Sequence, residues 1–215
     1  MPARTARKSL NTYHHGDLRV ALVQAALDEV ERGGPEAVSI SALAKKLGVS
    51  QPAPYKHFSD RDALLATVTA EAFRQFTAVL REQIARPSKG SKLSRFVHAA
   101  VDFGLRRNGT YRLMFASRIV ARAPENGELH AAAMETFDLL LDVLEAPVVG
   151  FLRERAALKI WALLHGVVML AQQGLWSREV GHANRELVED MVEQAKLTLP
   201  RTTKPRRKKT RPLRR

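Results

Sequence analysis

The sequence predicts an all-α protein of about nine helices, arranged in two helical domains. Apolar residues recur at the three- and four-residue spacing of helices through most of the chain. Strand signals are scarce and limited to short fragments such as 37–40. Residues 87–91 (PSKGS) form the clearest internal linker. The 215 residues, 45% of them hydrophobic, suffice for the cores of one or two small domains.

The net charge of +13 lies almost entirely at the two ends of the chain. Residues 201–215 contain nine Lys and Arg and no acid, and residues 1–13 contribute Arg4, Arg7 and Lys8. All 22 acidic residues lie within 14–200, where the net charge is +1. We therefore expect a nearly neutral folded body between a basic arm (1–13) and a disordered basic tail (200–215).

The composition argues against several classes of enzyme and metalloprotein. The absence of Cys excludes disulfides, thiolate-bound metals and a thiol nucleophile. The seven His residues show no metal-ligand spacing, and no phosphate-loop, dinucleotide or G-x-S-x-G pattern occurs. We expect no metal, no cofactor and no catalytic activity. The N-terminus lacks the apolar run of a signal peptide, which favours a soluble cytoplasmic protein.

The first helix is predicted over Asp17–Arg32. Gly33-Gly34-Pro35 ends it, because glycine accepts the left-handed cap and proline cannot continue a helix. Its apolar stripe consists of Leu18, Leu22, Ala26 and Val30.

Two short helices, Ser41–Leu47 and Ser50–His57, follow on either side of Gly48. Ser39 is placed to cap the first of them, and Gly48 can take a positive φ in the turn. The residues predicted to hold the pair together are Leu43, Ala44, Leu47, Val49 and Phe58. This pattern predicts a helix-turn-helix whose second helix leaves its outer face free to enter a DNA major groove.

The residues on that outer face suit DNA binding. Ser50 and Gln51 lie at the start of the second helix, where base edges are reached, and Gln can pair with adenine. Residues 42–59 contain no acid. Donors suited to phosphate oxygens are Tyr55, Lys56 and His57, with Lys45 and Lys46 adding positive charge nearby.

The rest of the chain is predicted to be helical as well. Residues 59–62 (SDRD) resemble a capping box and open a fourth helix that ends near Ala85. We place a DNA-binding domain at 14–86, a linker at 87–91 and a C-terminal domain at 92–199. The helices expected in the C-terminal domain are Leu93–Arg107, Tyr111–Ala121, Glu128–Leu144, Val149–Trp176 and Arg185–Leu197.

Residues 160–176 contain no charged side chain and predict a helix buried on two faces. The segment is short and polar for a membrane span, so we expect burial against a second copy of the chain. One stripe consists of Leu158, Trp161, His165, Val168, Gln172 and Leu175, and the last helix adds Val188, Met191, Val192 and Ala195. Two helices from each subunit would form a four-helix homodimer interface.

Residues 43–50 (LAKKLGVS), 55–58 (YKHF) and 62–65 (DALL) resemble the TetR family of transcriptional regulators, with similarity over about residues 14–80. The resemblance implies an N-terminal three-helix DNA-binding domain, a C-terminal ligand-binding and dimerisation domain, and double-stranded operator DNA as the partner. It implies operator-facing positions at Ser39, Ser41, Gln51, Pro52, Ala53, Tyr55, Lys56 and His57, with Arg61 as a phosphate contact.

A second, looser resemblance concerns the C-terminal domain. Trp161, His165 and Gly166, together with residues 111–115 (YRLMF), resemble one C-terminal subgroup of the same family. This resemblance implies a pocket for a small apolar effector. The implied lining residues are Phe96, Phe103, Met114, Phe115, Phe137, Leu140, Trp161 and Met169; apolar residues at this spacing also suit an ordinary core.

Pro52 and Pro54 both lie in the predicted recognition helix. Pro52 falls in the first turn, where a backbone N–H is not required. Pro54 removes the hydrogen bond to the Ser50 carbonyl and is expected to bias Ala53 away from helical geometry.

Two other functions compete with that of a sequence-specific regulator. A charge-driven architectural nucleic-acid-binding protein would depend mainly on its basic tails, and an enzyme in a helical bundle would need convergent titratable groups that the sequence does not offer. If the tail contacts phosphates, the log–log salt dependence of DNA binding should steepen by about four. Truncation after Pro200 should then flatten the salt dependence and spare sequence preference, whereas an unchanged slope indicates an inert, solvated tail.

Overall fold

The structure is a computed structural model that describes residues 15–88, 90–144 and 151–174, with helical backbone at 187, 190, 193 and 194. The described residues form helices and no strands, which confirms the all-α prediction. No described helix is long and apolar enough to cross a membrane. The α-helices are α1 (His15–Gly33), α2 (Ile40–Lys46), α3 (Arg61–Ala85), α4 (Lys92–Arg106), α5 (Asn108–Phe115), α6 (Ile119–Arg122), α7 (Glu128–Val143) and α8 (Phe151–Gln172), and 3-10 helices cover Pro35–Ala37 and Pro54–Lys56.

The chain divides into two compact units. Unit 1 combines the described parts of Met1–Gln75 with Arg107–Ala133, and unit 2 combines Phe76–Arg106 with the described parts of Met134–Arg215. This division does not follow the linear boundary expected at 87–91, because α3 continues through both units and residues 107–133 pack with the N-terminal helices. The domain boundary expected at 87–91 stays a prediction.

In unit 1, the core is built on the predicted stripe of α1. Leu22, Ala26 and Val30 are fully buried, and Leu18 is 7% exposed. Their spacing of four residues places them on one helical face, which packs on α2 and α5. The sequence prediction for this helix is confirmed, with its start two residues earlier, at His15, and its end one residue later, at Gly33.

The first turn of α5 lies directly on the last turn of α1. The backbone N–H and hydroxyl of Thr110 both donate to the Glu31 carboxylate, at 3.1 and 2.7 Å. Arg107, the N-cap residue of α5, makes no side-chain cap hydrogen bond. Glu31 therefore satisfies a helix end that has no local cap. Gly109 permits this approach, because a Cβ there would lie 2.1 Å from the Val30 carbonyl oxygen.

In unit 2, α4 packs against α8 through apolar side chains. Phe96 and Leu140 are fully buried, and the rings of Phe76 and Phe103 are 4.8 Å apart. The hydroxyls of Thr77 and Thr136 form a buried hydrogen bond of 2.7 Å between α3 and α7. Unit 2 thus has a core of its own.

The helix predicted over Tyr111–Ala121 is wrong as a single element, because α5 ends at Phe115 and α6 begins at Ile119. The Ser117 hydroxyl donates to the Leu113 carbonyl and accepts from the Ile119 N–H at 3.4 Å. A serine side chain that binds nearby backbone groups offers the chain an alternative to continued helix.

The predicted end of α8 at Trp176 is also too late. The helix stops at Gln172, and Gly174 has a φ of +69°, the left-handed conformation of a helix C-terminus. The predictions for the basic arm (1–13), the tail (200–215) and most of the helix Arg185–Leu197 lie outside the described residues.

Candidate DNA-binding surface

The first helix and the turn of the helix-turn-helix form as the sequence predicts. The Ser39 hydroxyl caps α2, accepting from the Ala42 N–H at 3.5 Å, and lies 3.0 Å from the Ser41 hydroxyl. Gly48 has a φ of +68°, and the turn is closed by the Val49 N–H, which donates to the Ala44 carbonyl at 3.0 Å. Leu43, Ala44 and Phe58 are buried, whereas Leu47 and Val49 are half-buried. The local signals for this motif are confirmed.

The recognition segment, residues 50–57, is not the α-helix that the sequence predicts. It consists of turns at 51–53 followed by the 3-10 helix Pro54–Lys56. Its hydrogen bonds join the Ala53 N–H to Ser50 and the His57 N–H to Pro54, each three residues back. Pro54 has no N–H to donate to the Ser50 carbonyl, and its ring crowds that carbonyl, which disfavours an α-helix through this turn.

Ala53 corrects a second expectation. Its φ and ψ of −60° and −44° are helical, so Pro54 does not displace it into extended geometry. Ala53 instead accepts a hydrogen bond from the Lys56 N–H at 3.2 Å, which continues the tight turn.

Most residues predicted to face DNA are accessible to solvent. Tyr55 is 54% exposed, large for an aromatic side chain on a monomer surface. The exposed positions are Ser41, Lys46, Ser50, Gln51, Pro52, Tyr55 and Lys56, and the half-buried ones are Ser39, Ala53, His57 and Arg61. This surface combines hydroxyl, amide and ammonium donors without an acidic residue between 42 and 59.

Gln51 is held in place by the first helix of the motif. Its Nε2 donates to the Ser41 carbonyl at 3.3 Å. This contact restricts the side chain and leaves its carbonyl oxygen and one amide hydrogen available for other hydrogen bonds. No signal in the sequence alone shows this contact.

His57 and Arg61 are placed differently from the prediction. The Nε2 atom of His57 is buried, so it does not face outward as a phosphate donor. The Arg61 guanidinium donates to the Val38 carbonyl at 2.9 Å and to the Pro35 carbonyl. Arg61 therefore ties α3 to the segment before α2, and its role as a phosphate contact stays a prediction.

Three residues outside the predicted DNA-facing set fix the motif. Glu29 of α1 forms an ion pair with Lys46 at 3.1 Å, and the Arg19 guanidinium lies 5.5 Å from the centre of the Phe58 ring. Asp60 caps α3 by accepting from the Ala63 N–H at 2.8 Å, and this hydrogen bond lowers the pKa of the Asp60 carboxyl. Neither the Glu29–Lys46 ion pair nor the Arg19–Phe58 contact can be predicted from helical spacing alone.

The eight residues expected to line an effector pocket fall into both units. Met114 and Phe115 belong to unit 1, where Phe115 packs edge-on against Phe73 with ring centres 5.3 Å apart. The other six belong to unit 2: Phe96, Phe103 and Leu140 are buried, and Phe137, Trp161 and Met169 are half-buried. Phe137 and Trp161 contact each other edge-on at 6.0 Å. The pocket stays a prediction.

The predicted dimer stripe does not lie on the outside of α8 as a whole. Val168 is 1% exposed, and Gln172 donates to the Gly104 carbonyl at 2.8 Å, so both face their own subunit. Trp161 and His165 are half-buried, whereas Leu158 is 58% exposed. Leu175, Val188, Met191, Val192 and Ala195 lie outside the residues whose side chains are described.

Burial lowers the pKa of His165 to about 4. The unfolded chain then binds more protons than the folded chain between this value and the ordinary pKa of 6.5, so stability falls as pH falls through this window. We expect the loss to reach up to about 2 kcal/mol, because partial exposure moderates the full effect. Urea unfolding across the window should show a flatter pH dependence for His165→Gln than for the wild type. Equal slopes in the two proteins would contradict the prediction.

Comparisons with known proteins agree with the fold and the motif. Residues 22–68 match the model of the bacterial regulatory proteins of the tetR family, and residues 93–195 match the tetracyclin repressor-like C-terminal domain. Together the two matches cover more than half of the chain.

Individual relatives are distant in sequence but extend over most of the chain. The HTH-type transcriptional regulator YobS of Bacillus subtilis strain 168 is 22% identical over 172 residues, covering 74% of this chain and 81% of the relative. A protein of unknown function from Rhodococcus sp. RHA1 superposes with a TM-score of 0.73 at 28% identity, covering 88% and 99% of the two chains. The TetR-family regulator PfmR from Thermus thermophilus gives 0.55 at 21% identity, covering 78% and 96%. The chain belongs to the TetR family of bacterial DNA-binding transcriptional regulators.

Proposed function

We propose that the protein is a homodimeric repressor that binds a palindromic operator and leaves it when a small apolar effector binds. The observation that carries this proposal is the recognition segment: polar donors are exposed on a backbone fixed by Gly48, Phe58 and the Gln51–Ser41 hydrogen bond. A fixed, accessible set of donors of this kind suits the reading of base edges. The protein would act in the cytoplasm, where bacterial DNA is accessible.

Selection of bound sequences from a random DNA pool tests the operator. The full-length protein should enrich an inverted repeat whose half-sites are about 34 Å apart or slightly more, since two symmetric motifs enter successive major grooves. An architectural protein would enrich no inverted repeat and would lose all binding to excess random DNA. That outcome would refute the proposal.

The exposed face of α8 favours dimerisation through this helix. Leu158, Leu163 and Leu170 are 58%, 45% and 40% exposed. Ala162 and Gly166 are exposed too and continue the four-residue spacing from Leu158 to Leu170, and a Cβ at Gly166 would meet nothing within 4 Å. A contiguous apolar face with a glycine near its centre allows close approach of the same helix from a second subunit. The proposed interface thus keeps Leu158 from the original prediction and replaces Val168 and Gln172.

The double change Leu158→Glu, Leu170→Glu is expected to weaken dimerisation by about 100-fold or more. Each glutamate would be buried without a partner, and symmetry doubles the number of such charges in the interface. Sedimentation analysis should show a monomer with wild-type helical content. Leu105→Glu, on an exposed leucine of α4, makes the same chemical change elsewhere and should leave the dimer intact. A dimeric double variant would refute this interface.

Effector binding is proposed for unit 2, where Phe137, Trp161 and Met169 are half-buried and the rings of Phe137 and Trp161 are in contact. Such amphipathic and flexible side chains are common in ligand pockets. A compound that binds there should raise the thermal midpoint of the protein and lower its affinity for the selected operator. Phe137→Ala, at a residue predicted only for the pocket, should remove both effects while leaving operator affinity without the compound unchanged.

A further inference from the structure

We propose that a cleft in unit 1, outside the predicted effector pocket, binds an amphipathic anion, that is, a carboxylate or phosphate attached to an apolar chain. The cleft has a volume of about 710 Å³, within the range of small-molecule sites. Its walls are the first turns of α3, the segment 116–124 that contains α6, and the first turn of α7. None of the eight residues predicted for the effector pocket lines it.

The inner surface of the cleft is apolar. Leu65, Ala70 and Leu129 line it and are at most 4% exposed, so they form a closed floor. Ala66 and Ile119 also line the cleft and are half-buried, which leaves part of each side chain open to a ligand. Covering this partly exposed surface would favour an apolar chain in the cleft.

The wall formed by 116–124 carries two arginines. Arg118 and Arg122 lie one helical turn apart, and both are exposed. Neither makes an ion pair or a side-chain hydrogen bond with any residue that the structure describes. Two guanidinium groups without carboxylate partners can bind a carboxylate or phosphate through several charge-assisted hydrogen bonds.

The cleft is also lined by acidic residues, and their contacts bear on whether an anionic or a cationic ligand fits. Glu128 is paired with Arg74 at 2.9 Å, and Asp60 caps α3. Glu36 and Asp62 also line the cleft and are exposed, with Asp62 3.9 Å from the Arg61 guanidinium. With Glu128 paired to Arg74, the carboxylates of the lining are balanced by its three arginines, so the cleft as a whole is close to neutral. Arg118 and Arg122 are the cations of this lining without a carboxylate partner among the described residues, so an anionic head would bind at the 116–124 wall.

Occupancy of the cleft would connect to DNA binding, and this step rests on the proposed function. The ligand would contact both α3, which begins directly after the recognition segment, and residues 116–129. If the ligand binds better to one arrangement of these walls, it changes the affinity for operator DNA. Operator DNA must then change the affinity for the ligand by the same factor.

Calorimetric titration of the full-length protein with decanoate and decyl phosphate tests the site without DNA. Both probes should bind saturably, and decanol and decyltrimethylammonium should bind about tenfold more weakly or not at all. The double variant Arg118→Gln, Arg122→Gln should weaken binding of both anions by about tenfold. If only one anion depends on the arginines, that head group identifies the source of the ligand.

Two further variants test whether the anions bind in the cleft itself. Arg112→Gln removes the same charge from an exposed arginine of α5 that does not line the cleft, and it should bind the probes like the wild type. Ala66→Phe should fill part of the apolar lining and reduce binding of both anions, with unchanged helical content by circular dichroism. Anion binding that is undiminished in the double variant, or equal binding of the cationic probe, would overturn the proposal. Operator selection is a separate measurement, so failure of either idea is recognised independently.

Discussion

Replacing Gly109 with Ala is expected to lower the free energy of unfolding by about 3 kcal/mol. The new Cβ would lie 2.1 Å from the Val30 carbonyl oxygen, 2.8 Å from its carbonyl carbon and 2.7 Å from the Glu31 Cα. All three atoms belong to the backbone of α1, so no side-chain rotation can relieve the contact. The first turn of α5 would have to move away from α1, and the Glu31–Thr110 hydrogen bonds would lengthen or break.

Urea unfolding of the full-length protein measures this effect. Asn108→Ala, at the exposed neighbouring position, should change the free energy of unfolding by no more than about 0.5 kcal/mol. Glu31→Ala should cost about 2 kcal/mol, because it removes the charged acceptor of two Thr110 donors without adding a steric contact. If Gly109→Ala is as stable as the wild type, then α5 does not pack on α1 as closely as the structure shows.

Replacing Gln51 or Tyr55 with Ala is expected to lower affinity for the selected operator by about 100-fold each, because a dimer loses the contact twice. Gln51 can form paired hydrogen bonds to a base edge, and Tyr55 offers an exposed hydroxyl and ring. Binding to random DNA, which depends on phosphate contacts, should change little. The double variant should therefore approach the affinity for random DNA.

Competition of labelled operator with random duplex separates these two components. Gln24→Ala makes the same substitution on an exposed face of α1 outside the predicted surface, and it should bind like the wild type. Tyr55→Phe should show whether the hydroxyl or the ring carries the contact. Retention of full site preference by the double variant would instead favour charge-driven binding by the basic tails.

Local signals predicted much of the N-terminal half of the chain. The stripe of α1, the Ser39 cap, the positive φ of Gly48 and the start of α3 at Arg61 each depend on residues within about one helical turn of one another. Signals of this kind survive folding because they act on the backbone before distant contacts form. Several residues of the candidate DNA surface, such as Ser50 and Gln51, could be named from the pattern of the motif, and others, such as Ser39 and Arg61, only from the family resemblance.

In the recognition segment, the residue pattern predicted a helix, whereas the prolines disfavoured one. The residue pattern favoured a helix at 50–57, while Pro54 removed an N–H group that an α-helix uses there. The structure resolves the conflict with a 3-10 helix, which keeps helical φ and ψ at Ala53. The burial of His57 Nε2 follows from the tertiary packing of this turn and has no signature in the spacing of the residues.

The amino-acid sequence by itself determined the helical class, the helix-turn-helix and its exposed donors, since periodicity, caps and glycine turns are properties of neighbouring residues. Only the tertiary structure decided that residues 107–133 pack with the N-terminal helices, that Glu31 caps α5, and which face of α8 is exposed. Each of these depends on contacts between segments far apart in the chain. An amphipathic stripe indicates that a helix face is buried, but it does not indicate which other element covers that face.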